Sequence, residues 1–226
     1  MILCFLGLVG SGKTASMSII AKQSLTPQGF TLRVGREKQI IRVKKVIANY
    51  HLNLPGAEYS VFPLPEISDK DVMLIYDDIY TIPKRLQHFI TFAIANLSRK
   101  QRLHILISAQ RFTMVAKDIR TMSFQVYPRI RKTKNLTKTL IEERIFVEEP
   151  GYTFKQVGKF YLRLSEAFGV YDTFEKVQVA TLRKFALILS QMSEESREFY
   201  KDILEETISN RLYEQIQRLL NGDEEI

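Results

Sequence analysis

Gly7-Leu8-Val9-Gly10-Ser11-Gly12-Lys13-Thr14 has the spacing G-x-x-x-x-G-K-[ST], and the rest of the chain is read outward from it. Glycines at these positions let the backbone wrap phosphates with its N–H groups. Lys13 then reaches the β and γ phosphates, and Thr14 offers a hydroxyl to Mg²⁺. A helix opening at Lys13 directs its positive end at the same anion. The flanks suit such a loop. Ile2-Leu3-Cys4-Phe5-Leu6 is a short continuous apolar run, as expected of a parallel strand covered on both faces. Ile19, Ile20 and Ala21 carry the helix on until Gln28-Gly29 breaks it. Gly7, Gly10, Ser11, Gly12, Lys13 and Thr14 are the nucleotide-binding candidates, and Thr14 is also a metal candidate.

Val72-Met73-Leu74-Ile75-Tyr76 is a second continuous apolar run, and it ends in Asp77-Asp78. Following a P-loop in this order, Asp77 is placed to hold Mg²⁺ through its water shell and Asp78 to position or activate water. Without the P-loop, the pair would read as a helix cap or a solvated loop. Leu86, Phe89, Ile90, Ala93, Ile94 and Leu97 follow at helical spacing. His104-Ile105-Leu106-Ile107-Ser108 is a third buried strand, leading into Ala109-Gln110-Arg111. Gln110 either bonds the γ-phosphate or orients water, or is simply a polar residue leaving a strand. Arg99 and Arg102, in Arg99-Lys100-Gln101-Arg102, either stabilise transition-state charge in a neighbouring subunit or cap their own helix. Arg99 is the first choice, and Arg111 and Arg120 rank below both.

Residues 46–50 and 59–62 read as strands separated by a Pro55-Gly56 turn, and residues 124–131 and 139–147 as a hairpin around Lys134-Asn135-Leu136. Beyond Pro150-Gly151 helices are predicted. Leu182, Phe185, Ile188, Leu189 and Met192 form one stripe. Phe199, Ile203, Leu204, Ile208, Leu212, Ile216 and Leu219 form another, capped by Ser193 and stopped at Asn221-Gly222. The fold class is α/β: a mostly parallel sheet with helices on both faces, a β-hairpin and a C-terminal helical extension. Residues 1–178 form the core, and residues 179–226 the extension, packed on the core or on a neighbouring subunit.

Composition narrows the classes. A 226-residue chain with 45% hydrophobic and 26% charged residues buries a full core. No apolar run approaches the ~18 residues of a membrane span. Residues 1–9 lack the basic start and small-residue cleavage site of a signal peptide. A lone cysteine excludes an internal disulfide and points to a reducing compartment, and three scattered histidines make no metal set. Residues 1–150 hold 23 Lys/Arg against 12 Asp/Glu, whereas residues 151–226 hold 10 against 13. The basic first part suits a polyanionic partner or is a solvated surface.

With these residues in order, the chain resembles the FtsK/HerA superfamily of P-loop DNA-pumping ATPases, and within it the viral genome-packaging branch and the Zot-like proteins of filamentous phages. The likeness rests on residues 7–14, 72–78, 97–102 and 105–111. Val46-Ile47-Ala48-Asn49-Tyr50 matches a strand that carries such an asparagine, and Tyr171-Asp172-Thr173-Phe174-Glu175 matches a segment near the core's end. The family usually has Glu where this chain has Asp78, a shorter acid that would act through a repositioned water. The resemblance implies ATP with Mg²⁺, hydrolysis coupled to sequence-independent movement of double-stranded DNA, a ring of identical subunits, and capsid or portal partners in the host cytoplasm or on the virion. Zot-like assembly or extrusion and a small P-loop kinase are the alternatives. Zot-like chains usually carry a membrane segment after the ATPase domain, and this sequence shows none, which favours packaging among these expectations.

Overall fold

In the computed structural model, residues 1–134, 136–149, 153–173 and 175–221 are described, with the side chains of residues 98–100, 136 and 149 outside that set. β1 (Ile2–Leu6) leads through the glycine loop into α1 (Lys13–Ser24). β2 (Phe30–Val34) and β3 (Glu37–Ile41) form a separate antiparallel pair. β4 (Lys45–Ala48), β5 (Ala57–Tyr59) and β6 (Val72–Tyr76) precede α2 (Lys84–Gln101). β7 (His104–Ala109), the short α3 (Lys117–Met122), β8 (Phe124–Arg131), β9 (Leu140–Glu149) and β10 (Thr153–Arg163) follow. The chain continues in α4 (Leu182–Gln191), α5 (Glu194–Thr207) and α6 (Asn210–Asn221).

Among the described residues the main sheet has the order β10-β9-β8-β1-β7-β6-β4-β5. All neighbours from β8 to β5 pair in parallel, and β9 and β10 are antiparallel additions. The strand alternation divides the core into two layers. Leu3, Phe5, Val46, Met73, Ile75 and Leu106 pack with Ile19 and Ile20 of α1. Cys4, Leu6, Ile47, Leu74, Ile105 and Ile107 pack with α2 and with residues of α4, α5 and α6. With both faces covered, each central strand is apolar throughout.

Several elements differ from the expectation. The strand near Tyr59 occupies Ala57–Tyr59, parallel to β4, with Ala57 opposite Val46. Ser60 Oγ bonds the Phe62 carbonyl and Pro63 brings no N–H, so the ladder stops there and Phe62 enters the core. Helices were expected past Pro150-Gly151, yet Thr153–Arg163 is an 11-residue strand. Its register shifts between Gln156 and Gly158, which breaks the period-two pattern that would reveal a strand. The β2–β3 hairpin was not anticipated.

The hairpin of β8 and β9 matches expectation, with Arg131 opposite Leu140; Asn135 of its turn lies outside the described residues. The stripe from Phe199 to Leu219 is two helices, interrupted at Ile208-Ser209, where the Ser209 carbonyl accepts from Leu212 and Tyr213 N–H. Ser193 caps α5 as expected by accepting from Ser196 N–H, and Gly222 lies outside the described residues.

The C-terminal helices share the second core layer. Phe185 is fully buried, with its ring centroid 4.7 Å from Phe62 and 5.4 Å from Phe89. Tyr200 reaches the Pro65 carbonyl with its hydroxyl at 2.6 Å. Phe185→Ala should therefore cost about 3–5 kcal/mol of folding stability, as deletion of a buried aromatic does. Urea denaturation measures this, and a loss below about 1 kcal/mol would show that α4 is not integral to this core.

Candidate nucleotide-binding site

The loop between β1 and α1 is shaped by glycines in left-handed backbone, Gly10 at φ 77° and Gly12 at φ 102°. Gly12 ends the loop against α1, where no side chain caps the helix, so the first-turn N–H groups face the cleft. Lys13 is buried, and its ammonium donates to the carbonyls of Gly7 and Leu8 at 2.9 and 3.1 Å. Burial lowers its pKa, opposed by the charges of Asp78 and Asp77.

Asp77 stands at the end of β6, buried and bonded on every side. Its Oδ2 accepts from Thr14 Oγ1 at 2.8 Å, and its Oδ1 accepts from Ser108 Oγ. Its backbone N–H donates to Asn49 Oδ1 at 2.7 Å, and its carbonyl accepts from Asn49 Nδ2 at 2.8 Å. Burial raises the Asp77 pKa, while the bonds from Ser108 and Thr14 pull it down. Asp78 adopts φ 50° and ψ 62°, a left-handed conformation that Asp tolerates better than most residues. Its N–H donates to Ser108 Oγ at 2.8 Å, and its carboxylate accepts from Tyr80 at 3.2 Å.

These groups open on a cleft of about 720 Å³ lined by Gly10, Gly12, Lys13, Thr14, Asp77 and Asp78. The opposite wall comes from residues 171–173, 175–177 and Val179. That strap is tied down at both ends. Asn53 N–H donates to the Val170 carbonyl at 2.7 Å, and Ala180 N–H to the Thr81 carbonyl at 3.1 Å. Glu175 accepts from His51 N–H at 2.8 Å and meets His51 Nδ1 at 2.6 Å.

Lys13, Thr14, Asp77 and Asp78 are thus brought together from α1 and β6. Gln110 follows β7 beside the loop, where Gly7 N–H donates to the Ala109 carbonyl at 3.3 Å, but it does not line the cleft. Ser11 lies in the loop without lining the cleft. The Arg99 side chain lies outside the described residues. Its helix runs against the strands and ends beside their starts, since Asp71 N–H donates to the Gln101 carbonyl at 2.8 Å and Val72 opens β6. Position 99 is therefore at the sheet edge opposite the glycine loop. Arg102 caps that helix end in left-handed backbone and pairs with Asp71 at 3.0 Å. Ser108 went unnoticed in the sequence, where its only signal is a hydroxyl at the end of an apolar strand.

The site fits a magnesium nucleotide. An uncapped helix start, a lysine among loop carbonyls and a paired hydroxyl and carboxylate supply the donors for phosphate and the hard oxygens for the cation. Strand order, loop and acid together define an α/β P-loop nucleotide-binding fold. No protein-family model matches the chain, and no curated protein matches it. Among solved structures, the N-terminal domain of zonular occludens toxin from Neisseria meningitidis aligns at 17% identity and TM-score 0.43, covering 76% of this chain and 98% of that one. A protein described as an ATPase aligns at 12% identity and TM-score 0.39, covering 72% and 80%. The genome packaging NTPase of Sulfolobus turreted icosahedral virus 2, in complex with ATP-gammaS, aligns at 15% identity and TM-score 0.33, covering 70% and 96%. At these scores the likeness assigns no activity, and the functional reading rests on this chain's own residues.

Asn49 is the support that the cleft hides, 1% exposed and bonded to both main-chain groups of Asp77. Asn49→Ala leaves a buried donor and acceptor unpaired, which costs about 1–3 kcal/mol each. Urea denaturation should show a loss of about 2–6 kcal/mol for the two groups together, and nucleotide affinity should fall with it. An unchanged midpoint and affinity would mean that water replaces the amide.

Proposed function

We propose that this chain hydrolyses ATP with Mg²⁺ to move double-stranded DNA, as a ring of identical subunits that packages a viral genome into a capsid in the host cytoplasm. The observation that carries the ATPase part is the junction of Lys13, Thr14 and Asp77 beside Asp78 in one cleft. In this reading the loop N–H groups and Lys13 hold the triphosphate, and Thr14 and Asp77 hold the cation. Bound Mg²⁺ would neutralise charge on the phosphate oxygens. Asp78, at the cleft and free of the Thr14 bond, orients water toward the γ-phosphate, and Gln110 reports the occupancy of the loop to β7.

The DNA part is supported by the ordered set of motifs and by the basic balance of residues 1–150. The turn after β8 adds a local feature: Arg131, Lys132, Lys134 and Lys138 occur there with no acid between them. Because β8 runs parallel to β1, this turn stands at the same sheet edge as the glycine loop. The capsid or portal would receive what the ring moves.

ATP turnover with and without duplex DNA tests the reading. Lys13→Ala should abolish turnover without unfolding the chain, Asp77→Asn should weaken Mg²⁺-dependent turnover, and Asp78→Asn should slow chemistry more than binding. DNA affinity should fall steeply with salt as counterions are released. Phosphoryl transfer to a small acceptor in place of water would mark a kinase instead, and DNA binding indifferent to salt would sink the translocase.

The end of α2 lies at the sheet edge opposite the glycine loop, which supports a role for Arg99 across a subunit boundary. Arginines supplied in trans are worth ~10³–10⁵ in rate in GTPases. Mixing Arg99→Ala with Lys13→Ala subunits should restore part of the activity that neither variant has alone. No recovery despite subunit exchange would place Arg99 in its own subunit's site or in a purely structural helix cap.

A further inference from the structure

The first turn of α1 carries a buried contact that phosphate binding does not use. Ser16 is fully buried, with its Oγ 3.0 Å from the Gly12 carbonyl and in hydrogen-bond contact with Oε1 of Glu143 on β9. A serine hydroxyl has one proton, and both a carbonyl and an ionised carboxylate can only accept. With Glu143 ionised, one of the two contacts has no proton. A neutral Glu143 resolves this: its O–H donates to Ser16 Oγ, and Ser16 donates to Gly12.

The surroundings favour the neutral acid. Glu143 is 0% exposed, and among the described residues its Oε2 has no hydrogen-bond partner. Burial pushes its pKa up to about 8, against the opposing pull of the Ser16 bond. Pairing places Pro128 of β8 and Phe160 of β10 opposite Glu143, and the alternation puts Ile141 and Ile145 on the same face. The charged residues Arg129, Arg131, Glu142, Arg144 and Lys159 fall on the other face by the same alternation, while Lys155, opposite Val147, shares the Glu143 face four residues farther along β9. From α1, the ionisable group in the same turn is Lys13, whose ammonium is turned to the Gly7 and Leu8 carbonyls.

The same strands touch the loop directly. A Cβ on Gly12 would meet Ile141 Cγ2 at 3.4 Å and Ile130 Cγ1 at 3.5 Å. Gly12 thus faces the side chains of Ile141 and Ile130 on one side, and its carbonyl accepts from Ser16 on the other. We infer that Glu143 is a positioning residue for the phosphate loop, donating a proton to Ser16 and so fixing the Gly12 carbonyl and the aim of the N–H groups that follow it. This rests on the reading of residues 7–14 as the triphosphate loop.

The test uses the full chain and a fluorescent ATP analogue with Mg²⁺, titrated from pH 6 to 9.5 for the wild type, Glu143→Gln, Glu143→Leu and Ser16→Ala. Wild-type affinity should weaken about threefold to tenfold as pH passes about 8, the scale of one lost hydrogen bond. Glu143→Gln, whose amide donates at any pH, should keep its affinity across that window, while Glu143→Leu should be weak throughout. Lys13 is common to all variants, so the difference between wild type and Gln isolates Glu143. In a Ser16→Ala background, Glu143→Gln should have no further effect.

Infrared spectra should show a protonated carboxyl in the wild type at pH 6.5 that is absent from Glu143→Gln. Stability provides a further check with a definite sign. The folded chain keeps this proton to about pH 8, whereas the unfolded chain loses it near 4.5, so wild-type stability falls as pH rises between those values. Glu143→Gln lacks that slope, and its advantage should open over the window and level off above it. Coincident pH profiles for wild type and Gln, Gln as weak as Leu, or no protonated-carboxyl band would overturn the role while leaving the triphosphate reading intact. A wild type that binds no nucleotide would remove that reading and the role together.

Discussion

Asp77 is the node on which the architecture and the site both depend. Its four polar atoms are taken by Thr14 at the start of α1, Asn49 past β4 and Ser108 in β7. A carboxylate this deeply buried is costly unless it is fully bonded, so each of these neighbours is needed where it is. Meeting that need sets the alignment of the strand ends, since β4, β6 and β7 all present their last residues to one point. The nucleotide cleft therefore follows from the way the parallel sheet is tied off at this edge.

The antiparallel end of the sheet closes the site from the other side. The side chains of Ile130 and Ile141 flank Gly12, and Glu143 meets Ser16 from the same strands. A loop whose shape is set by local glycines thus takes its wall from residues more than a hundred positions later. Because the basic turn after β8 belongs to those strands, a polyanion held there and a triphosphate held in the loop would act on a shared element. In the proposed translocase, such an arrangement would be a physical route by which hydrolysis and DNA movement influence one another.

The C-terminal helices complete the second layer of the core. Phe62, Phe89, Phe185 and Tyr200 form a contiguous aromatic group joining the segment after β5 to α2, α4 and α5. The 6 basic and 10 acidic residues of positions 181–226 disfavour contact with phosphates, and their apolar stripes are already engaged in this packing. The strap formed by residues 169–173 and 175–180 links these helices to the core and forms the far wall of the cleft on the way.

From sequence alone, the glycine loop, the buried strands at residues 2–6, 72–76 and 104–109, the Asp77-Asp78 pair and the hairpin around residue 135 could be read. Strands covered on both faces are apolar throughout, and the loop chemistry tolerates few substitutes, so both leave local patterns. The strand Thr153–Arg163 left none, because its bulge shifts the alternation midway. Ser108, Ser16 and Glu143 are unremarkable in sequence, and their importance comes from partners 31 and 127 positions away. Local pattern records which way a side chain must face, but only the closed tertiary structure decides what it meets there, because a buried polar group is defined by the partner that satisfies it.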